Sequence, residues 1–213
     1  KKCYASAWTA RAISYRHAHQ IPQEKVKLAS IIQKMIPARC AGLLFTMNPM
    51  TFKTHEMIVE SNFGLGESIV GGTCCPDQYI VERKKSKKGK DTFRILNKRI
   101  GNKNIAIIPK NTENEHGTEV IHLTEEENKT SSLTTSQILE LARMGVKIEK
   151  IFNGIPQDIE WAIDERNNFI PLQARPITIL KKPEHSKQEA IMWSRGYSDD
   201  YWNDNVSPPA YMG

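Results

Sequence analysis

Apolar and polar residues alternate most regularly in residues 158–176, DIEWAIDERNNFIPLQARP, and this alternation predicts a β-hairpin. With the turn centred between Arg166 and Asn167, the apolar face pairs Ile159 with Ala174, Trp161 with Leu172 and Ile163 with Ile170. The opposite face pairs Asp158 with Arg175 and Glu160 with Gln173. A slip of one residue would mix the two sets, so the pattern itself supports this register.

The rest of the chain mixes strand-like and helix-like segments without a regular βαβ repeat. Strands are predicted at residues 27–36, 41–46, 57–61, 78–84, 92–99 and near 119–122. Helices are predicted within residues 1–19, in a short turn through Val70, and from Thr134 to Asn153-Gly154. The last of these begins with a capping box, because Gln137 follows Thr134 by three residues. Together these elements predict an α+β fold.

The polar face of the hairpin has the composition of a magnesium nucleotide site. Glu160 opposite Gln173 offers oxygen ligands for a hard cation, and Arg175 offers a fork of donors for a phosphate. The alternative is an ordinary half-solvated sheet, in which Asp158 and Arg175 form a cross-strand pair worth roughly 0.2–1 kcal/mol. The residues of the hairpin alone leave both readings open.

Four segments in order resemble one family. They are IIQKMIPARCAGLLFTMNP (31–49), EMIVESNFGLGESIVGGTCCPDQYIVER (56–83), LTTSQILELARMGVKIEKIFNG (133–154) and the hairpin. Their sequences resemble the nucleotide-binding domain of the phosphoenolpyruvate synthase and pyruvate phosphate dikinase family. The resemblance implies an ATP-grasp-like lobe, mainly an antiparallel sheet with flanking helices. It assigns residues 1–180 to the C-terminal portion of that domain and 181–213 to a linker and the start of a following domain.

The resemblance also implies a ligand and a set of roles. ATP with Mg²⁺ is the expected ligand, and Glu160 and Gln173 are expected to hold the metal, with Asp158 as support or second ligand. Arg175 is expected to be catalytic, stabilising charge on the transferring phosphoryl group. Gln33 stands where the family has a strand that borders the adenine, so it is expected to contact the base. On its chemistry alone, Gln33 would be an exposed strand residue.

In the family, phosphate passes from ATP to a histidine on a separate swivelling domain, and none of the six histidines here lies in a segment resembling that motif. The N-terminal lobe of the ATP-grasp domain is missing as well. We therefore expect an enzyme piece that is inactive alone and whose partners are ATP and those two missing parts. The acceptor stays open between pyruvate, an antibiotic and a glucan. A non-catalytic nucleotide-binding module is a further alternative.

Composition narrows the remaining classes of function. The net charge of +6 is concentrated in the KKSKKGK run at residues 84–90, which is typical of a solvated loop. The run has no interleaved aromatic residues for base stacking, so nucleic-acid binding is the weakest alternative; it would show a steep salt dependence. No apolar run approaches the roughly 18–20 residues that span a bilayer. Four cysteines without zinc or CxxC spacing favour a reducing, cytoplasmic location.

Overall fold

The computed structural model describes residues 1–84, 91–110 and 117–177, and the chain divides into two compact units, Lys1–Met35 and residue 36 onward. The predicted boundary near residue 180 and the predicted linker at 181–213 lie outside the described residues, as does most of the lysine-rich run. No helix in the described part of the chain is long and apolar enough to cross a membrane.

The first unit contains two short helices rather than the single helix predicted within residues 1–19. Helix α1 covers Lys2–Ser6 and α2 covers Ala10–Ala18, and a 3-10 turn follows at Gln23–Lys25. The break comes at Thr9, whose backbone is extended and whose hydroxyl accepts a hydrogen bond from the Ala12 amide at 3.3 Å. A threonine that caps a new helix in this way competes with continuation of the preceding one.

The strand predicted at residues 27–36 is wrong for this structure. The segment forms neither helix nor strand, and no backbone hydrogen bond joins residues 27–36 to any other described residue. Alternation alone does not make a strand, because the backbone groups of a strand need a neighbouring strand to bond. Gln33 is exposed within this segment.

The second unit is built on a six-stranded antiparallel sheet with the order β4-β3-β2-β1-β7-β8. The strands are β1 Ala38–Phe45, β2 Glu56–Phe63, β3 Asp77–Lys84, β4 Thr92–Arg99, β7 Gln157–Asp164 and β8 Phe169–Pro176. A separate two-stranded sheet pairs β5 Ile105–Pro109 with β6 Thr118–His122. The α+β prediction is confirmed, and of the described strands in this unit only β5 was missed.

One face of the large sheet is covered by the long helix α5, Thr135–Ile151. The predicted capping box of Thr134 and Gln137 is present at its start. The core holds the apolar face of α5 against inward-facing residues of β1, β2, β3 and β7, with Trp161 among the largest buried side chains. The Trp161 ring lies over Gly42, where a Cβ would come within 2.9 Å of the ring and would overlap the Glu60 carbonyl group. The short helices α3, Glu67–Val70, and α4, Glu125–Lys129, lie in the connections.

A buried ionic cluster joins β3 to the connection between β4 and β5 and to the connection between α4 and α5. The Lys103 ammonium lies 2.6 Å from the Asp77 carboxylate, and both side chains are completely buried. The other Asp77 oxygen accepts hydrogen bonds from the Ser132 amide and hydroxyl, each at 2.8 Å. The amide of Gly101 also donates to Asp77, at 3.0 Å. The carboxylate is thus satisfied by a full set of donors, as a buried charge requires.

The hairpin of β7 and β8 keeps the predicted register only at its open end. Asp158 pairs with Arg175, Ile159 with Ala174 and Glu160 with Gln173, as predicted. A bulge then shifts the pairing, so Trp161 faces Pro171 instead of Leu172, and Ile163 faces Phe169 instead of Ile170. Pro171 has no amide hydrogen to donate, so a regular ladder is not expected to continue through it.

Candidate functional site

Five polar side chains cross the large sheet along one line of paired residues, which is interrupted by Leu43 on β1 and which we call the polar row. Residues that pair directly on neighbouring strands point to the same face of a sheet. Following the pairings from β4 to β8, the row consists of Arg99, Gln78, Glu60, Leu43, Glu160 and Gln173. It lies on the face opposite α5. The Glu160–Gln173 pair predicted from sequence is therefore present, and it forms one end of a longer polar line.

The neighbouring line of paired residues, at the end of β1 and the start of β7, brings Asp158 and Arg175 together. The Arg175 Nε donates to the Asp158 Oδ2 at 2.9 Å, with the carboxylate buried and the arginine side chain 55% exposed. Asp158 also pairs with Phe45 at the end of β1. Because Asp158 and Glu160 are two residues apart on one strand, both carboxylates and the guanidinium share the face of the polar row. An anchored but exposed arginine can extend toward an anion above the sheet.

The environment of Glu160 favours its neutral form. Burial raises the pKa of its carboxyl group, the Asp158 carboxylate raises it further, and Arg175 lowers it. A cation placed beside Glu160 would reverse this preference, because it would stabilise the carboxylate directly. A carboxylate held near like charge in a partly buried position is a common feature of cation sites, and it also occurs in structural networks.

Glu60 is the site residue that the sequence reasoning missed. It occupies the middle of β2 and accepts a hydrogen bond from Gln78 Nε2 at 2.9 Å. Burial raises its pKa, while the Gln78 hydrogen bond and Arg99 lower it and Asp158 raises it. Glu60 lies two strands from Glu160, about 10 Å across the sheet. Its position in β2 gave little signal, because Glu56, Ser61 and Asn62 make the same strand polar elsewhere.

The donor set fits magnesium better than a metal held only by protein. No group of three or more His, Cys, Asp or Glu residues in the described ranges converges in a way that could hold a metal ion. Magnesium commonly takes one or two protein carboxylates and completes its octahedron with phosphate oxygens and water. Glu160 with the Gln173 carboxamide matches that partial set, and Asp158 is already engaged by Arg175.

Gln33 belongs to the first unit, whereas the polar row belongs to the second. Its expected contact with adenine stays a prediction.

A comparison with known protein families gives a match over most of the chain. Residues 1–194 match the family described as "Pyruvate phosphate dikinase, AMP/ATP-binding domain". The chain belongs to this family. As a dikinase AMP/ATP-binding domain it has ATP or AMP as its expected class of ligand, which agrees with the resemblance found in its four segments.

Individual relatives carry two kinds of name. A "Probable phosphoenolpyruvate synthase" from Pyrococcus horikoshii is 40% identical over 196 residues, 90% of this chain and 23% of that protein. The "Phosphoenolpyruvate synthase" of Pyrococcus furiosus is 40% identical over 195 residues, 89% of this chain and 23% of that protein. A "Rifampicin phosphotransferase" from Bacillus subtilis is 39% identical over 208 residues, 97% of this chain and 22% of that protein. The dikinase domain described here thus spans about a quarter of the length of these relatives.

Proposed function

We propose that this chain is the ATP-binding part of a phosphoenolpyruvate synthase-like phosphotransferase, which moves phosphate from ATP to a histidine elsewhere in the same protein. The observation that carries the proposal is the hairpin face, where Glu160 pairs with Gln173 beside the Asp158–Arg175 ion pair. The family assignment supports ATP or AMP as the class of ligand. The polar face supplies groups suited to its metal and its phosphates.

Each residue of the face has a proposed role. Glu160 and Gln173 would hold Mg²⁺, which would neutralise charge on the phosphates when bound. Asp158 holds Arg175 by its carboxylate and adds negative charge near the metal. The exposed guanidinium of Arg175 stabilises the charge that develops on the transferring phosphoryl group. Phosphoryl transfer needs mainly such positioning and electrostatic stabilisation.

In the transfer, the P–O bond to the leaving nucleotide breaks and a P–N bond to the histidine forms, with the electron pair of the broken bond staying on the nucleotide oxygen. An ATP-grasp site lies between two lobes, and we propose that this chain supplies one of them. The other lobe and the histidine would come from further parts of a longer cytoplasmic protein. The chain alone is then expected to bind nucleotide weakly and to complete no reaction.

The test is calorimetry of Mg·ATP binding to this chain and to a longer protein that includes the upstream lobe. We expect tight, magnesium-dependent binding in the longer protein and a loss of at least tenfold in affinity in Glu160→Ala and in Arg175→Ala. Glu140→Ala and Arg143→Ala are matched controls, because both side chains are exposed on α5, which covers the opposite face. Equal affinity in the longer protein and its four variants would exclude the proposed site.

The rifampicin phosphotransferase from Bacillus subtilis supports a second candidate, because its match covers 97% of this chain. In that case the nucleotide site is the same and the final acceptor is an antibiotic. The longer protein separates the two: turnover of ATP with pyruvate favours a synthase, and turnover with rifampicin favours the antibiotic enzyme. Nucleotide binding without turnover on any acceptor would favour a non-catalytic module.

A further inference from the structure

The ladder of hydrogen bonds between β1 and β7 ends at Thr46. Phe45, the last residue of β1, pairs with Asp158, and the same register brings Thr46 opposite Gln157. In a regular hydrogen-bonded pair of antiparallel strands, each residue donates its amide to the carbonyl of the other. The Thr46 amide does donate to the Gln157 carbonyl at 2.9 Å, but the Gln157 amide donates to the Thr46 hydroxyl at 2.8 Å. A side-chain hydroxyl therefore replaces the backbone acceptor in the last pair of the ladder.

This replacement lets the chain leave the sheet while the pairing extends one residue further. The backbone bends at Thr46 and Met47, and residues 47–55 lead to β2. A threonine hydroxyl can take the place of a carbonyl because the side chain is short and lies close to its own backbone. The hydroxyl thus holds Gln157 in the sheet although β1 has already ended.

Both backbone polar groups of Gln157 are bonded to Thr46. On the other side of β7, Gln157 lies opposite Pro176 of β8, and the adjacent hydrogen bond runs from the Ile177 amide to the Pro156 carbonyl at 2.9 Å. This pattern marks the Gln157–Pro176 pair as one whose backbone groups point away from each other. The amide and carbonyl of Gln157 therefore face β1, where Thr46 takes up both.

The methyl branch of Thr46 lies against helix α5. A Cβ built on Gly145 of α5 would come within 3.2 Å of the Thr46 Cγ2 and within 2.7 Å of the Leu44 Cδ2, so the helix approaches β1 closely where this glycine lies. Thr46 is 1% exposed. A β-branched side chain has few rotamers, so contact of the methyl with α5 also fixes the direction of the hydroxyl.

The residue held by Thr46 is next to the ion pair of the candidate site. Asp158 follows Gln157 in β7 and accepts a hydrogen bond from the Arg175 Nε at 2.9 Å. A shift of Gln157 would move Asp158 and, with it, the guanidinium that we assign to the transferring phosphoryl group. Reacting groups need this precision, because a displacement of about 1 Å can slow a reaction about a hundredfold.

We propose that Thr46 is a positioning residue for phosphoryl transfer, whose hydroxyl fixes Gln157 and thereby aims Arg175 through Asp158. This inference rests on the proposed function. Loss of the hydroxyl leaves the positive charge of Arg175 near the phosphates but no longer aims it. Transfer is therefore expected to suffer more than nucleotide binding.

The experiment uses the complete protein with labelled ATP. It measures the single-turnover rate constant for formation of acid-labile phosphate on the protein, beside the Kd for Mg·ATP by calorimetry. Thr46→Val keeps the branched shape and removes the hydroxyl, whereas Thr46→Ser keeps the hydroxyl. Thr46→Val is expected to lower the rate constant at least tenfold with its Kd within threefold of the parent, and Thr46→Ser is expected to stay within threefold of the parent in both.

These measurements report folded protein. Unfolded protein lowers the amplitude of phosphorylation and the number of binding sites, but not the rate constant or the Kd. Thr46→Ala also lacks the hydroxyl and adds no bulk, and it is expected to behave as Thr46→Val does. The comparison therefore does not depend on the folding of one variant.

A double-mutant cycle separates positioning from a purely structural role. Because Thr46 is proposed to act through Arg175, adding Thr46→Val to Arg175→Ala should lower the rate constant less than threefold further. Losses of tenfold in both backgrounds would overturn the proposal, because the hydroxyl would then act independently of the arginine.

Thr92→Val is the matched control, because Thr92 is exposed at the start of the outer strand β4. It is expected to leave both measurements unchanged. A rate constant within threefold of the parent in Thr46→Val would overturn the positioning role. Equal losses in Thr46→Val and Thr46→Ser, or equal losses of rate and affinity in Thr46→Val, would overturn it as well. A parent protein that binds no Mg·ATP would instead contradict the proposed function.

Discussion

Glu160 lies where burial and the Asp158 carboxylate oppose its ionisation, although its proposed role as a metal ligand needs the carboxylate form. Both influences raise its pKa, and only Arg175 acts in the other direction. In the absence of metal, the folded state therefore holds the Glu160 proton more tightly than the unfolded chain does. This contribution makes the fold more stable as pH falls through the raised pKa, which is opposite in sign to that of an ordinary salt-bridged carboxylate.

This shift predicts a pH dependence of metal-assisted nucleotide binding. As pH falls through the raised pKa of Glu160, the carboxylate takes up a proton and the affinity for Mg·ATP should decrease, starting at a higher pH than for an ordinary glutamate. Calorimetry of the longer protein across the acidic range measures this. In Glu160→Gln the affinity should be low at every pH. If the parent and Glu160→Gln lost affinity in parallel, another group would be responsible.

A second prediction at the residue scale concerns Asp158, whose carboxylate raises the pKa of Glu160. Asp158→Asn removes a negative charge next to Glu160 and releases Arg175 from its ion pair. Both changes favour ionised Glu160, so the midpoint of the pH-dependent loss of Mg·ATP affinity should move to lower pH. The same calorimetric series detects the shift. Asp164→Asn, in the turn of the hairpin, is the control and should leave the midpoint where it is; a midpoint unchanged in Asp158→Asn would contradict the coupling.

At the scale of elements, sequence patterns predicted the structure correctly where the interacting residues lie close together in the chain. The capping box at Thr134 needs only residues within one turn, so it could be read directly. The open end of the hairpin was also predictable, because alternation fixes which residues share a face. The bulge was not, because it depends on how Pro171 meets Trp161 across the ladder. The short strand β5 was missed because its apolar run lies among polar residues and its partner strand β6 is equally short.

Glu60 shows the same limit of sequence patterns at the candidate site, because its place there depends on strand pairing. The hairpin chemistry follows from residues close in sequence, whereas Glu60 joins the row only through the pairing of β2 with β1. No local pattern specifies that β1 lies between β2 and β7. The strand order of the sheet therefore decided which carboxylates share a face, and that order came from the structure.

The Asp77 cluster is expected to stabilise the elements around the sheet. Asp77→Ala would leave the Lys103 ammonium buried without its carboxylate and would remove the acceptor of the Ser132 and Gly101 amides. Breaking a buried ion pair from one side costs about 3–5 kcal/mol. Urea denaturation should show a loss of that size in the free energy of unfolding. Glu126→Ala, on the exposed side of α4, should change it by less than about 0.5 kcal/mol, as surface substitutions usually do.

For the whole molecule, the two units differ in how completely their apolar groups are covered. The second unit has a continuous core beneath α5. In the first unit, Ile31 and Ile32 expose 91% and 99% of their surface. Soluble proteins rarely leave such large apolar groups adjacent and uncovered without a partner for them. If the proposed function is right, residues 27–36 are expected to pair with a strand from the upstream lobe, which would restore the strand that alternation predicted.

Hydrogen exchange tests this inference directly. In the chain of 213 residues, the amides of residues 27–36 should exchange at nearly unprotected rates, because no backbone hydrogen bond joins them to other described residues, while those of β1, β2 and β7 should be protected. In a longer protein with the upstream lobe, residues 27–36 should become protected, with little change in β1.

If residues 27–36 stay unprotected in the longer protein, the segment is a loop in the complete protein, and the expected contact of Gln33 with adenine loses the strand on which it depends. Protection that appears only when Mg·ATP is added would instead mean that the nucleotide orders the segment, and Gln33→Ala should then weaken ATP binding without changing its magnesium dependence.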